Sequence, residues 1–295
     1  MLDTFTHTDF PVADLMREKA DAGTTVTVVV PTREAAGTIA HTVAELRILA
    51  GMGIVDQVLV VDADSADGTA AAARDAGAEV VSEVSLVPSI GPVRGKGDAM
   101  WRALKAATGE IVVYVDGDVA DFGRHYVTGL IGPLLADRSR AFAKGFYRRP
   151  FRQGETESVR GGGRVTELTA KPLLARCVPE LVAFDQPLAG EIAVRRDVLS
   201  TIPFHTGYGV EIAMLIEVWN RVGLDAMVQV DLGTKRNAHQ SLSALNGMAN
   251  EVIAALAEVL DRLDRPDLGR IEAAAGSRPS PVVRPPFRSL APEIA

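Results

Sequence analysis

The fold is decided by residues 109–122, GEIVVYVDGDVADF. The apolar run at 111–115 predicts a strand buried inside a sheet. Two carboxylates, Asp116 and Asp118, follow at its end on either side of Gly117. Because burial and mutual repulsion both disfavour neighbouring carboxylates, we expect cationic side chains or a metal ion to meet them there.

Two earlier segments repeat the same plan of strand, polar turn and helix. They are TTVTVVVPTREAAGTIAHTVAELRIL (24–49) and VDQVLVVDADSADGTAAAARDAGAEVV (55–81). This alternation predicts an α/β fold with a mostly parallel central sheet and helices on both faces. Ligands bind such sheets beyond the carboxyl ends of the strands. We therefore expect the polar residues at 31–34, 62–64 and 116–118 to share one crevice.

The composition excludes several classes of protein. The 295 residues are 47% hydrophobic and carry a formal charge of −7, which argues against general nucleic-acid binding. Cys177 is the single cysteine, so an internal disulfide or a cysteine metal cluster is excluded. The first residues lack a signal-peptide pattern, and no apolar run approaches the roughly 18 residues of a membrane helix. We expect a soluble cytoplasmic protein.

Basic residues are concentrated in one part of this acidic chain. Between positions 138 and 171 there are nine basic and three acidic residues. Such a surplus indicates an anionic small molecule, although a solvated arginine-rich loop would look the same. Within it, GGGRVTE (161–167) places Arg164 and Thr166 at a predicted helix N-terminus, a combination that suits phosphate or carboxylate.

Other motifs each allow a functional and a structural interpretation. The Asp116–Asp118 pair suits Mg²⁺ or Mn²⁺ bound to a diphosphate, but turn aspartates look alike. In VRGKGDAMW (93–101), Lys96 among glycines indicates an anion site or a surface loop. Glu34 either accepts hydrogen bonds from a nucleoside or belongs to a helix's first turn. Near the end, KRNAHQS (235–241) offers a histidine for metal or phosphate.

The motifs together resemble one family. Their order is strand-Pro-x-x-Glu, strand-Asp, Gly-Lys-Gly, Asp-x-Asp, then FYRRP, GGGRVTEL, QPLAGE, GYGVEI and VDLG. Over residues 26–242 the chain is similar to the actinobacterial glucosyl-3-phosphoglycerate synthases and the related mannosyl-3-phosphoglycerate synthases. These are retaining glycosyltransferases of the GT-A fold, so the resemblance implies transfer of glucose or mannose from a nucleotide sugar to 3-phosphoglycerate.

The resemblance implies a role for each matching position. Nucleotide-sugar binding falls to Pro31, Thr32, Glu34, Asp62, Lys96, Asp116, Gly117, Asp118, Tyr208 and Glu211. The acceptor site falls to Gly163, Arg164 and Thr166, and catalytic roles to Leu188, Glu211 and Asp118. Asp118 and His239 would bind Mg²⁺ or Mn²⁺, and no protein nucleophile would be needed.

Two departures from the family leave questions open. Ala63 and Asp64 stand where the family has a serine after the second strand, so UDP and GDP both remain possible. An ungapped count places Asn237 at the family's metal-binding histidine and His239 at its asparagine. We predict that His239 takes the metal role through a two-residue shift.

The resemblance also divides the chain. We predict an N-terminal helical extension (1–24), a nucleotide-sugar-binding half (25–120) and an acceptor-binding half of the same domain (121–242). A C-terminal helix (243–275) is a candidate surface for a homodimer, and a flexible tail (276–295) follows.

Other functions fit parts of the pattern. They are a GT-A transferase with another acceptor, a haloacid-dehalogenase-like phosphatase, a nucleotidyltransferase and an inactive nucleotide-sugar-binding protein. The phosphatase motif belongs on an opening strand, and the nucleotidyltransferase loop belongs after the first strand. Here two strand–helix units precede the Asp-x-Asp motif, which counts against the phosphatase, and the glycine-rich loop GPVRGKG (91–97) comes too late for a nucleotidyltransferase.

Overall fold

The computed structural model describes residues 1–149, 163–236, 241–264 and 282–290, and the backbone of 151–153 and 156–158. The strands are β1 (Asp3–Thr6), β2 (Val26–Thr32), β3 (Gln57–Asp62), β4 (Glu79–Ser82), β5 (Ile111–Tyr114), β6 (Phe142–Arg148), β7 (Phe151–Gln153), β8 (Thr156–Ser158), β9 (Ile192–Arg195), β10 (Phe204–His205), β11 (Met227–Thr234) and β12 (Val283–Arg284). The α-helices are α1 (Val12–Ala22), α2 (Ile39–Gly51), α3 (Thr69–Asp75), α4 (Lys96–Ala103), α5 (His125–Ala136), α6 (Lys171–Cys177), α7 (Arg196–Leu199), α8 (Val210–Val222) and α9 (Leu242–Arg262).

One sheet organises the chain. Within the described residues its eight strands run in the order β1-β11-β6-β9-β5-β2-β3-β4. Neighbouring strands are parallel, except that β9 is antiparallel to both β5 and β6. The predicted α/β fold with a mostly parallel sheet is therefore confirmed. The sequence RAFAKGFYRRPF (140–151) suggests an edge strand, but it contributes β6 to the interior of the sheet, because β11 returns from the second half of the chain to pair with it.

Two apolar cores lie on the two faces of the sheet. Alternate residues of a strand face opposite sides, so Val29 enters one core and Val28 the other. The first core is shared with α4, α8 and α9, and the second with α2 and α5. Burial on both faces explains why β2 and β5 are continuous apolar runs.

Both terminal regions join the fold. The first 24 residues contain α1 and also β1, an edge strand that pairs with β11. Part of the segment predicted as a flexible tail is packed: β12 pairs with β10, and the Phe287 ring lies edge-on against Trp101. We call residues 282–290 the strap. Positions 265–281 and 291–295 lie outside the described residues.

Helix α9 packs within its own chain. Its buried residues, including Val252, Leu256 and Val259, belong to the first core and lie against α8. The apolar stripe that the sequence offers as a dimer surface is therefore largely covered inside the protomer. Among the described residues, no helix combines the length and the apolar character needed to cross a membrane.

Candidate active site

A cleft of about 570 Å³ opens at the carboxyl ends of β2, β3 and β5. Its opposite side is formed by α9 and by the turn at Gly207–Gly209. The residues predicted from the sequence that line it are Pro31, Thr32, Lys96, Asp116, Gly117, Asp118, Gly163, Arg164, Thr166, Leu188, Tyr208 and Glu211. Residues 31–32 and 116–118 thus share one crevice, as the strand-end argument predicts, and the Gly163–Thr166 segment lines the same crevice.

Asp116 lies between two lysines. Lys96 Nζ is 2.6 Å from Oδ1 of Asp116, and Lys235 Nζ is 2.6 Å from its Oδ2. Burial opposes ionisation of this carboxyl, but the two ammonium groups outweigh burial and hold the pKa of Asp116 well below its usual value. The positive groups expected from the sequence are therefore present, and Asp116 is ionised.

Asp118 has a different environment from Asp116. Its side chain is exposed at the cleft, and no hydrogen bond or ion pair joins its carboxylate to another described residue. Loss of hydration and then the neighbouring Asp116 charge raise the pKa of Asp118. An unpaired carboxylate oxygen that faces the cleft is the kind of ligand that Mg²⁺ and Mn²⁺ prefer.

The described residues fit a metal site in part. They contain no group of three histidine, cysteine, aspartate or glutamate side chains able to hold an ion. A divalent ion at Asp118 would complete its coordination with diphosphate oxygens and water, as hard cations commonly do. The predicted second ligand, His239, and its alternative, Asn237, lie outside the described residues.

A second layer of polar side chains lies behind Asp116. Lys235 pairs with the fully buried Glu191, whose other oxygen, Oε2, accepts a hydrogen bond of 2.8 Å from the Tyr147 hydroxyl. Arg149 donates to the same hydroxyl at 2.9 Å, while its buried Nε has no partner in the described structure. Burial opposes the Lys235 charge, but Asp116 and Glu191 outweigh it and raise the pKa of Lys235. The cationic charge beneath the aspartates is therefore retained.

Lys96 also connects the aspartate pair to the GYGVEI motif (207–212). Its Nζ lies 2.8 Å from Oε1 of Glu211, at the start of α8. Tyr208, in the preceding turn, donates its backbone N–H to Oε2 of Glu251 over 2.8 Å. Gly207 in that turn has a φ of +72°, a left-handed conformation that favours glycine. The turn is therefore fixed by α9.

The predicted acceptor motif begins the helical segment at Thr166–Ala170. Gly163 adopts a φ of +75°, and its carbonyl accepts the Glu167 N–H at 3.1 Å. Arg164 and Thr166 line the cleft, with Thr166 buried. Arginine and a helix start together form a site for an anion. Residues 159–162, which hold the first two glycines of the motif, lie outside the described residues.

The QPLAGE loop packs tightly against the aspartates. A Cβ on Gly190 would lie 2.7 Å from both Oδ1 of Asp116 and Nζ of Lys96, so any side chain here would displace the pair. The buried Lys144 donates to the Ala189 carbonyl at 2.8 Å and so holds the loop that carries Leu188. Burial lowers the pKa of Lys144 to about 8.

Two predicted residues do not reach the cleft lining. Asp62 is buried and accepts hydrogen bonds from the Ser65 N–H (3.0 Å) and hydroxyl (2.8 Å) in the turn that follows β3. Glu34 is exposed, and its carboxylate accepts the Ala66 N–H at 3.0 Å. The Glu34 side chain therefore connects the β2 and β3 loops, whereas the Asp62 contacts stay within the β3 loop.

The cleft also contains residues absent from the predicted site. Lys235 follows β11 and Glu83 follows β4, so the strand-end rule, applied to every strand, would have found both. Arg149 lies in the predicted basic region, where charge alone does not select one arginine. Glu251 is in the middle of α9 and has no sequence signal.

The fold and the cleft define a class of protein. A mostly parallel sheet with an aspartate pair after β5, facing the cleft, is the architecture of the GT-A glycosyltransferases. The family model for glycosyl transferase family 2 matches residues 27–183, more than half of the chain. The chain belongs to glycosyltransferase family 2.

Three relatives show which kinds of glycosyltransferase the chain is similar to. The chain is 45% identical to the glucosyl-3-phosphoglycerate synthase of Mycolicibacterium smegmatis, over 83% of this chain and 80% of that protein. The mannosyl-3-phosphoglycerate synthase of Rubrobacter xylanophilus superimposes with a TM-score of 0.87 and 41% identity, covering 98% and 97% of the two chains. The glucosyl-3-phosphoglycerate synthase of Mycobacterium tuberculosis, solved with Mn²⁺, UDP-glucose and phosphoglyceric acid, gives a TM-score of 0.84 and 40% identity, covering 97% and 98%.

Proposed function

We propose that the chain transfers glucose from a nucleoside diphosphate sugar to 3-phosphoglycerate and forms glucosyl-3-phosphoglycerate. The observation that carries this proposal is that the aspartate pair and the Gly163–Thr166 anion site open into the same cleft. UDP-glucose is the donor supported by the relatives, because the M. tuberculosis enzyme was solved with it and with phosphoglyceric acid.

The donor diphosphate would bind at the aspartate pair. Asp118 would hold Mn²⁺ or Mg²⁺, with His239 as the proposed second protein ligand. When bound, the ion neutralises charge that develops on the leaving diphosphate. Lys96 lies beside this site and stays protonated, because Asp116 and Glu211 outweigh burial and raise its pKa. Lys96 therefore adds a fixed positive charge near the leaving group.

The acceptor would bind in the region of basic surplus. Arg164, with the Gly163 and Thr166 backbone, would hold the phosphate of 3-phosphoglycerate. The backbone N–H groups of this turn and the arginine supply several donors to one anion. We propose that this anchoring places the acceptor hydroxyl next to the sugar.

The sugar would lie between Leu188, Tyr208 and Glu211, which line the cleft between the donor and acceptor motifs. Glu211 is paired with Lys96 and would accept hydrogen bonds from sugar hydroxyls. The acceptor hydroxyl would attack from the face that the diphosphate leaves, with Leu188 as the proposed positioning contact. This assignment accounts for retention without a protein nucleophile.

A mannosyl donor is the second candidate. It is supported by the similarity to the R. xylanophilus mannosyl-3-phosphoglycerate synthase, whose TM-score of 0.87 extends over nearly the whole of both chains. Glucose and mannose differ at C2, so the discrimination would depend on groups around that hydroxyl.

A donor-by-acceptor matrix tests the proposal. UDP-glucose, GDP-glucose and GDP-mannose are each combined with 3-phosphoglycerate, glycerol 3-phosphate or no acceptor, with Mn²⁺, Mg²⁺ or EDTA. We expect a glycosylated phosphoglycerate with a divalent ion and its loss with EDTA. Transfer to none of the acceptors from any donor would reject the function.

We further propose a cytoplasmic location and a homodimer. Cell fractionation tests the first, and light scattering of the purified chain tests the second. Because α9 is covered by its own chain, a dimer would use a different surface from the one the sequence suggests.

A further inference from the structure

Glu83 is a buried carboxylate that the mechanism above does not use. It directly follows β4, lines the cleft, and has a side chain only 8% exposed. Its neighbouring cation is Arg33, whose Nη2 lies 3.9 Å from Oε1 and whose side chain is 69% exposed. An ion pair this long and this solvated contributes little.

Within the part of the chain that the structure describes, no hydrogen bond reaches the Glu83 carboxylate. Burial raises its pKa, and Arg33 only partly opposes this effect. A largely buried carboxylate with only a long, solvated ion pair is unfavourable, because nearly all buried polar groups in proteins are satisfied. Because this one faces a cleft, donors from a bound ligand are the natural partners.

The position of Glu83 indicates which part of the ligand it meets. The strand order β5-β2-β3-β4 places Asp116, Thr32, Ala63 and Glu83 in sequence along the sheet edge. Since adjacent strands lie about 4.8 Å apart, Glu83 is about 14 Å along this edge from the aspartate pair. A nucleotide with its diphosphate at Asp118 and its ribose near Thr32 would place its base toward β4.

We propose that Glu83 recognises the base of the donor nucleotide and favours guanine over uracil. This inference rests on the proposed function of the cleft. An ionised carboxylate only accepts hydrogen bonds. Guanine presents N1–H and N2–H side by side, matching the two carboxylate oxygens, whereas uracil presents a single N3–H flanked by carbonyl oxygens. We therefore expect guanosine donors to bind at least as tightly as uridine donors, with Glu83 as the residue that admits guanine.

The substitution Glu83→Gln separates the two bases. A glutamine amide accepts from uracil N3–H and donates to the adjacent carbonyl, but offers guanine one acceptor and a clashing NH₂ group. A good bidentate pair contributes about 1–3 kcal/mol of discrimination. We therefore expect Glu83→Gln to weaken GDP binding by about tenfold or more and to change UDP binding by less than about threefold.

Calorimetric titration with GDP and with UDP in MnCl₂ measures the ratio of the two affinities without requiring sugar transfer. Glu79→Gln is the matched control, since Glu79 is on the same strand but exposed and outside the cleft lining. Melting temperatures establish that each variant is folded. The proposal is overturned if Glu83→Gln leaves the GDP-to-UDP ratio unchanged or if GDP does not bind the wild type. If the enzyme transfers sugar but Glu83→Gln leaves the ratio of GDP to UDP affinity unchanged, only the role of Glu83 is rejected. If neither nucleotide binds, the proposed function is rejected as well.

Discussion

The two sides of the cleft are built from different kinds of contact. The strand-end wall, which includes Thr32 and Asp116, follows directly from parallel strands whose backbones are paired. The C-terminal wall consists of the turn at Gly207–Gly209 and the α9 residues Leu245, Met248, Glu251 and Val252. Side chains from distant parts of the chain position it. The comparison shows that chemistry can be encoded locally while the shape of the opposing wall depends on long-range packing.

The strap (282–290) joins α4 to β10, the strand that precedes the Gly207–Gly209 turn of the C-terminal wall. Arg284 makes two bonds to the fully buried Asp98 on α4, from Nε at 2.8 Å and Nη2 at 2.7 Å. The Trp101 indole donates to the Pro285 carbonyl at 2.9 Å. Because β12 also pairs with β10 just before the Gly207 turn, the strap joins the start of the Lys96 helix to the opposite wall.

The largest effect is expected in the strand-end wall. Asp118→Asn should lower kcat/KM by about 10³-fold or more, because a neutral amide holds a divalent ion poorly. Initial rates over a Mn²⁺ titration measure it. Asp121→Asn is the control, being exposed and outside the cleft lining. Near-normal activity of Asp118→Asn would contradict the metal assignment.

The strap should matter mainly for stability. Arg284→Ala leaves the buried Asp98 with Arg102, whose Nε is 3.3 Å away, as its remaining cation. We expect the free energy of unfolding to fall by about 3 kcal/mol, as when one member of a buried pair is removed. Urea unfolding measures this, with the exposed Arg288→Ala as control. Equal stability of the two variants would show that the strap does not fasten the wall.

A substitution in the proposed acceptor site should change mainly the KM for 3-phosphoglycerate. Arg164→Ala should raise the KM for 3-phosphoglycerate by about 10- to 100-fold and the donor KM much less, since charged hydrogen bonds contribute about 1.5–3 kcal/mol. Arg148→Ala is the control, since Arg148 belongs to the same basic region but is exposed and outside the cleft lining. It tests whether the local surplus of positive charge is by itself enough to bind the acceptor. If both variants raised the KM for 3-phosphoglycerate equally, the acceptor would be held by the basic region as a whole and not by Arg164.

The smallest effect is expected at the Tyr208 turn. Glu251→Ala removes the acceptor of the Tyr208 N–H and should lower kcat/KM by about 2- to 10-fold, the value of one ordinary hydrogen bond. Glu251→Gln keeps an acceptor oxygen and should restore most of the activity. Steady-state kinetics of both variants test this, and failure of glutamine to rescue would indicate that the charge matters instead.

Local pattern alone determined the sheet class and the aspartate pair at a strand end, and it marked the Gly163–Thr166 turn as a candidate anion site. Alternation of apolar runs with helices specifies strand ends, and strand ends collect ligand-binding residues whatever the rest of the chain does. The same logic extends to Lys235 and Glu83, which follow strands and were within reach of the rule.

Other features were decided by tertiary structure. The sequence around Asp62 and Glu34 does not reveal that these side chains accept hydrogen bonds from Ser65 and Ala66, because those contacts form only in the folded chain. The interior position of β6, the contact of Glu251 with Tyr208 and the pairing of Arg284 with Asp98 each join residues far apart in the chain. Local periodicity carries no information about such pairs, because they form only when the whole sheet and its covering helices have come together.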